Sequence, residues 1–131
     1  MSSRPLIKPH TVINSGDMSA ASITSDVTII QQLSMISYGY SWTGTSPVGT
    51  IAVQVSNDYA IDAGGTVSNA GTWNALYFSS AGSSVASVAV TGNTGNGFID
   101  LTKLAGYAIR TVYTKTSGTG TLQCKLNAKV A

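Results

Sequence analysis

Gly106-Tyr-Ala-Ile-Arg-Thr-Val-Tyr-Thr-Lys-Thr-Ser-Gly-Thr-Gly-Thr-Leu-Gln-Cys-Lys-Leu-Asn-Ala-Lys-Val130 decides the fold class. In its second half Leu122, Cys124, Leu126, Ala128 and Val130 alternate with Thr121, Gln123, Lys125, Asn127 and Lys129. That period of two is a strand with one face on a core and one in water. In its first half Tyr107, Ile109, Thr111 and Tyr113 alternate with Ala108, Arg110, Val112 and Thr114. The Gly-bearing stretch 115–120 between them predicts a loop, and hence a terminal β-hairpin.

The pattern recurs upstream. Ile36, Tyr38, Tyr40 and Trp42 alternate with Ser37, Gly39, Ser41 and Thr43, and Ile51, Val53 and Val55 alternate with Ala52, Gln54 and Ser56. The segment 44–49, with two glycines and Pro47, predicts a turn and a second hairpin over 35–56. The stripe Tyr38, Tyr40, Trp42 opposes only Ser, Gly, Ser and Thr. It is therefore expected to face the core, leaving a small uncharged face outside.

Further strands are expected over 73–78, 85–90 and 98–101. A loop is expected at 81–84 and a turn cluster at 91–97. Residues 101–106 suit a single helical turn capped by Gly106. About eight strands result, with essentially no helix. The expected fold is all-β: an antiparallel β-sandwich, jelly-roll-like, in one domain over 26–131.

Residues 1–25 carry two readings. Pro5 and Pro9 disfavour helix, and 10–14 suits a short strand. One reading is a leading edge strand plus a loop. The other is an extended arm that docks on a neighbour through Arg4, Leu6, Ile7 and Lys8.

Composition narrows the function classes. Ser, Thr and Gly supply 48 of the 131 residues, and only 9% are charged, against ~25% in an average domain. At 43% apolar content such a chain folds rather than staying disordered. The net charge is +2, from scattered cations. Lys115, Lys125 and Lys129 make at most a weak patch, which suits a solvated face that resists edge pairing better than a nucleic-acid site. No stretch has signal-peptide or membrane-span length, so synthesis in the cytosol without a membrane partner is expected. The lone Cys124 falls on the inward row and reads as a small core residue.

Catalytic constellations are scarce. His10 is the only histidine, so any Ser-His-Asp or Cys-His arrangement would have to use it. The five acids, Asp17, Asp26, Asp58, Asp62 and Asp100, are dispersed, and there is no Glu. One Cys and one His exclude a zinc spacing. A calcium site from Asp58, Asp62 and backbone carbonyls is the one metal reading left open. The glycines at 92–97 are followed by neither a helix nor Lys-Ser/Thr, so they do not form a phosphate loop. No cofactor and no enzymatic activity are expected.

Three pieces carry a resemblance: Val53-Gln-Val-Ser-Asn-Asp58 with Gly71-Thr-Trp73; Phe98-Ile-Asp-Leu101 leading into 104–110; and the stretch 111–122. In this order and spacing they resemble small phage-associated β-sandwich proteins found among virion structural genes. More distantly they resemble discoidin-like jelly rolls, although here a long insertion separates Asp58 from Trp73. The first resemblance implies a structural component of a bacteriophage virion, made in the host cytoplasm. A capsid decoration or accessory head protein is favoured over a tail component. Its partners would be other virion proteins, such as the major capsid protein or neighbouring copies in a homo-oligomer such as a trimer. The second resemblance implies a carbohydrate-binding module, on a tail or host-adhesion component, using Asn57, Asp58, Tyr59, Trp73 and Tyr77.

Overall fold

A computed structural model of the chain describes residues 9–30, 35–102 and 106–129. Twelve strands follow one another: β1 (His10–Asp17), β2 (Ser22–Thr24), β3 (Thr28–Ile29), β4 (Met35–Ser56), β5 (Ala60–Ile61), β6 (Val67–Asn69), β7 (Asn74–Leu76), β8 (Phe78–Ser80), β9 (Ser83–Val85), β10 (Ser87–Thr91), β11 (Thr94–Thr102) and β12 (Ala108–Lys129). Eight of them form one antiparallel sheet, ordered β1-β12-β4-β10, with β2, β3, β7 and β11 at its margins. The small hairpins β5-β6 and β8-β9 form separate two-stranded sheets, the second packing Phe78 into the same core. The chain is all-β and antiparallel, as its periodicity predicts. Among the described residues no helix is long and apolar enough to cross a membrane.

The two expected hairpins do not exist. The segments 35–56 and 108–129 are each one continuous strand of 22 residues. They pair with each other along their whole length, from Ala108 opposite Ser56 to Lys129 opposite Met35. The stretches expected to turn lie side by side in this ladder, where the register shifts between Lys115 and Ser117 and again between Ser117 and Thr119. Such bulges bend a strand and re-aim its side chains without reversing it. The inward row accordingly changes parity. In β4 it runs Ile36, Tyr38, Tyr40, Trp42 and then Pro47, Ile51, Val53. In β12 it runs Ile109, Thr111, Tyr113 and then Leu122, Cys124, Leu126.

The third glycine cluster bends at the same level. β10 and β11 lie end to end along one side of β4, opposite residues 48–52 and 35–43 respectively, joined only by Gly92 and Asn93. The Gly44 amide donates to the Asn93 carbonyl (2.7 Å), and the Ser46 amide donates to Asn93 Oδ1 (2.8 Å). Asn93 thus supplies the ladder bonds that β4 loses at its kink. Three neighbouring strands bend together, and the sheet folds on itself. The inner faces of both halves belong to one hydrophobic cluster, the filling of a sandwich.

Size complementarity orders that core. On the inner face Trp42 sits opposite Gly95, and Tyr40 opposite Gly97. The two rings stack at 6.0 Å and cover the glycines so closely that a Cβ at either would overlap them. Cys124, opposite Tyr40 on the other side, is 1% exposed, and burial pushes its thiol pKa up to about 12. A small residue on each flank makes room for a large ring, which accounts for the lone cysteine. The buried Thr111 is held on both sides. Its amide donates to Ser25 Oγ, and its hydroxyl donates to the Ala52 carbonyl, both at 2.9 Å.

Two phenols are the exception. The hydroxyls of Tyr38 and Tyr113 are buried without a hydrogen-bond partner among the described residues, and burial raises both pKa values. An unpaired buried hydroxyl costs about 1–3 kcal/mol. Tyr38→Phe is therefore expected to raise stability by about 1 kcal/mol rather than lower it. A urea titration showing a lower midpoint would mean that the hydroxyl is paired.

Residues 1–25 divide between the two readings. His10–Asp17 is the leading edge strand, antiparallel to β12, and Ser22–Thr24 pairs with the other half of β12. Val12, Ile13 and Met18 lie in the core, so residues 10–24 belong to the sandwich and not to an arm. Arg4, Leu6, Ile7 and Lys8 lie outside the described residues. Leu101 and Thr102 end β11 as strand rather than opening a helical turn, and residues 103–105 lie outside the described residues.

Candidate functional site

At the far end of β4 the chain leaves the sheet through Ser56-Asn57-Asp58, makes the β5-β6 hairpin, and returns at Thr72-Trp73. This loop brings together four of the five residues singled out in the sequence. Asp58 Oδ1 accepts from the Thr72 amide at 2.6 Å and from Ser56 Oγ at 2.8 Å. Asn57 Oδ1 accepts from the Tyr107 amide at 3.0 Å. The rings of Tyr59 and Trp73 meet at 5.9 Å with a 57° tilt. Tyr77 is set apart, highly exposed between β7 and β8.

Each contact has a local cause. Asn and Asp after a strand end fold back onto nearby amides, and Asp58 does so across the fourteen positions to Thr72. Gly71 has a φ of +87°, and a Cβ there would press on Ser56 Oγ, Trp73 Nε1 and the Tyr59 side chain. The loop closes this tightly because residue 71 is glycine.

One member has no part in the glycan set drawn from the sequence. The Arg110 guanidinium stacks over the Trp73 ring, 4.2 Å from its centroid, and Arg110 Nε donates to Gln54 Oε1 at 2.8 Å. Arg110 and Gln54 are cross-strand partners on β12 and β4. That pairing is invisible while the two segments are read as separate hairpins.

Electrostatically the loop is self-contained. The Thr72 amide and the Ser56 hydroxyl hold the Asp58 carboxyl below its ordinary pKa. The Asp62 carboxylate is likewise engaged within the loop, its Oδ1 accepting from the amides of Gly64 and Thr66, both at 2.9 Å. Among the described residues no group of three or more His, Cys, Asp or Glu is placed to hold a metal ion. The indole Nε1 of Trp73 donates to the Ala70 carbonyl at 2.8 Å. One ring face lies under Arg110, and Trp73 is half-buried. These polar groups chiefly lock the loop.

A pH dependence follows. A carboxylate whose folded pKa is depressed stabilises its surroundings above the unfolded value of about 3.9, and that contribution is lost as pH falls through the folded value. The amide resonance of Thr72 is therefore expected to stay put from pH 7 to 4.5. It should move only below about pH 4. In Asp58→Asn that titration should vanish.

No protein-family model matches the chain, and the search of curated proteins returned no match. Among solved structures the chain is similar to the SPBc2 prophage-derived protein YomS. The TM-score is 0.61 and the identity 10%, over 93% of this chain and 92% of that one. At that identity the likeness establishes a shared fold, spanning nearly the whole of both chains.

Proposed function

We propose that the chain is a structural component of a bacteriophage virion, a capsid decoration or accessory head protein. The observation that carries this reading is the fold shared end to end with a prophage-derived protein. The chemistry of the chain supports a non-catalytic role. His10 is exposed at the start of β1, Cys124 is inside the core, and Asp58 and Asp62 are committed to their own loop. What the molecule offers instead is a rigid sandwich with an outer surface poor in charge, suited to packing among virion proteins or neighbouring copies.

Electron microscopy of particles from the host, with antibody labelling of the chain, tests this directly. Label on heads supports the decoration role, label on tails supports an adhesion role, and particles without label overturn both. The arm is tested by truncation. Removing residues 1–8 should leave the melting curve unchanged and abolish particle binding, and retained binding would exclude Arg4, Leu6, Ile7 and Lys8 as contacts. Removing residues 1–14 also strips Val12 and Ile13 from the core, so this longer deletion should unfold the domain.

The second reading is a carbohydrate-binding module at Asn57, Asp58, Tyr59, Trp73 and Tyr77. Its support is the half-exposed ring pair Tyr59–Trp73 beside a shallow cleft lined by Asn57, Asp58 and Thr72. A glycan array with the intact chain and with Trp73→Ala tests it. Hits that survive the substitution would remove this loop from consideration.

A further inference from the structure

Phe98 is 68% exposed, the most exposed of the large apolar side chains among the described residues, and it stands in the middle of a sheet face rather than in a loop. Its neighbours across the sheet are Gly39 on β4 and then Lys125 on β12. The rows on either side read Asp100, Ser37, Asn127 and Asn96, Ser41, Gln123. The central strand therefore presents only Ser37, Gly39 and Ser41, while both neighbours present longer side chains. A Cβ on Gly39 would meet nothing within 4 Å. The result is a trough along β4, with β11 and β12 as walls about 10 Å apart and a floor about 14 Å long. Two clefts of about 290 and 270 Å³ lie in it, one against Phe98, Asp100 and Asn127 and the other against Ser41, Gln123 and Lys125.

We propose that this trough is a binding site for a neutral, extended oligosaccharide, with Phe98 as the platform on which a sugar ring lies. The lining matches that chemistry. An exposed aromatic ring offers its face to the C–H side of a sugar. The carboxamides of Asn96 and Asn127 each supply a donor and an acceptor, which is what a hydroxyl requires, and Gln123 supplies a donor. Gln123 is already oriented, because its Oε1 accepts from the Ser15 amide, leaving its NH₂ to serve a ligand. Asp100 and Lys125 balance one another, so the face selects for a neutral ligand.

Other occupants fit worse. β4 is bonded to β11 and β12 on its two sides over this stretch, so its backbone has no free edge to receive a peptide strand. A second copy docking here would have to bury two opposite charges and several amides around only two exposed apolar side chains, Phe98 and Met35, unlike an apolar interface core. The trough lies on a different half of the sheet from the Trp73 loop, and the inference does not depend on where the particle carries the chain.

Affinity electrophoresis of the intact protein through gels containing dextran, laminarin or galactomannan, with polygalacturonate as the acidic comparison, is the test. Retardation by at least one neutral polysaccharide is expected. It should fall at least tenfold in Phe98→Ala and in Gly39→Val, which fills the trough beside Phe98 while keeping the ring, and it should persist in Trp73→Ala. Melting curves of Phe98→Ala and Gly39→Val should match the parent, since Phe98 is exposed and the space above Gly39 is open. Migration unaffected by all three neutral polysaccharides overturns the proposal, as does retardation indifferent to Phe98→Ala and Gly39→Val. Light scattering in which Phe98→Ala dissociates an oligomer would assign the face to a second copy and overturn it equally.

Discussion

Gly118→Ala is expected to cost about 2–5 kcal/mol, a large part of the stability of a domain this size. Gly118 lies within β12 at a φ of +83°, in the left-handed region, where a side chain costs about 1–2 kcal/mol. A Cβ there would also overlap the Ser46 carbonyl oxygen and Pro47 Cα of the adjacent kink in β4. These are backbone atoms, which cannot swing aside as a side-chain tip can. Relieving the overlap means separating the two longest strands where the sheet folds over, an overpacking cost of about 1–3 kcal/mol. Gly44→Ala should behave similarly, because its Cβ would meet the Thr119 carbonyl. Gly39→Ala is the internal control: equally a strand glycine, it has open space around it and should change stability by about 0.5 kcal/mol or less. Chemical denaturation midpoints of the three variants separate steric effects at the fold line from any general effect of replacing glycine in a strand.

Trp42→Ala is expected to be the most damaging core substitution, at about 3–5 kcal/mol, or roughly 10–20 °C in melting temperature. Three losses coincide. The indole is 7% exposed and packs in the core beneath the kink. It stacks on Tyr40 and covers Gly95, which has no side chain to collapse into the vacated space. Its Nε1 donates to the Gly92 carbonyl at 3.0 Å, a bond that ties β4 to the junction between β10 and β11. Trp42→Phe keeps a ring over Gly95 and removes that bond, so it should cost much less. If both variants melt alike, the hydrogen bond rather than the packing dominates at this position.

These two positions lie where local sequence signals and tertiary pairing part company. The alternation in 35–43, 49–56, 107–114 and 121–129 was legible because each side chain of a half-buried strand reports its own face. That places Tyr38, Tyr40 and Trp42 inside, Ser37, Gly39 and Ser41 outside, and Cys124 in the core, whatever the strand pairing. The glycine-bearing segments 44–49, 91–97 and 115–120 were equally visible as places where the backbone departs from a flat strand. Their meaning was not. Gly and Pro report local conformational freedom, and the same freedom serves a reversal or a bulge. The parity change of the inward row across both gaps was compatible with either.

The candidate sites divide in the same way. Asn57, Asp58, Tyr59 and Trp73 could be gathered from turn chemistry and aromatic content. The Arg110 stack on Trp73 and the trough beside Phe98 exist only through cross-strand register, between residues up to 90 positions apart. Phe98 in particular reads as one more apolar strand residue until its outward parity and its glycine neighbour are known.

The sequence by itself determined the fold class, the inward and outward rows and the three places where the backbone must yield, because periodicity and glycine act on each residue locally. Tertiary structure alone decided that these segments pair with one another rather than fold back on themselves. The reason is energetic: a hairpin would bury each apolar row against one short neighbour. Two full-length strands kinked at one level keep their ladders nearly continuous and close both halves over a single core.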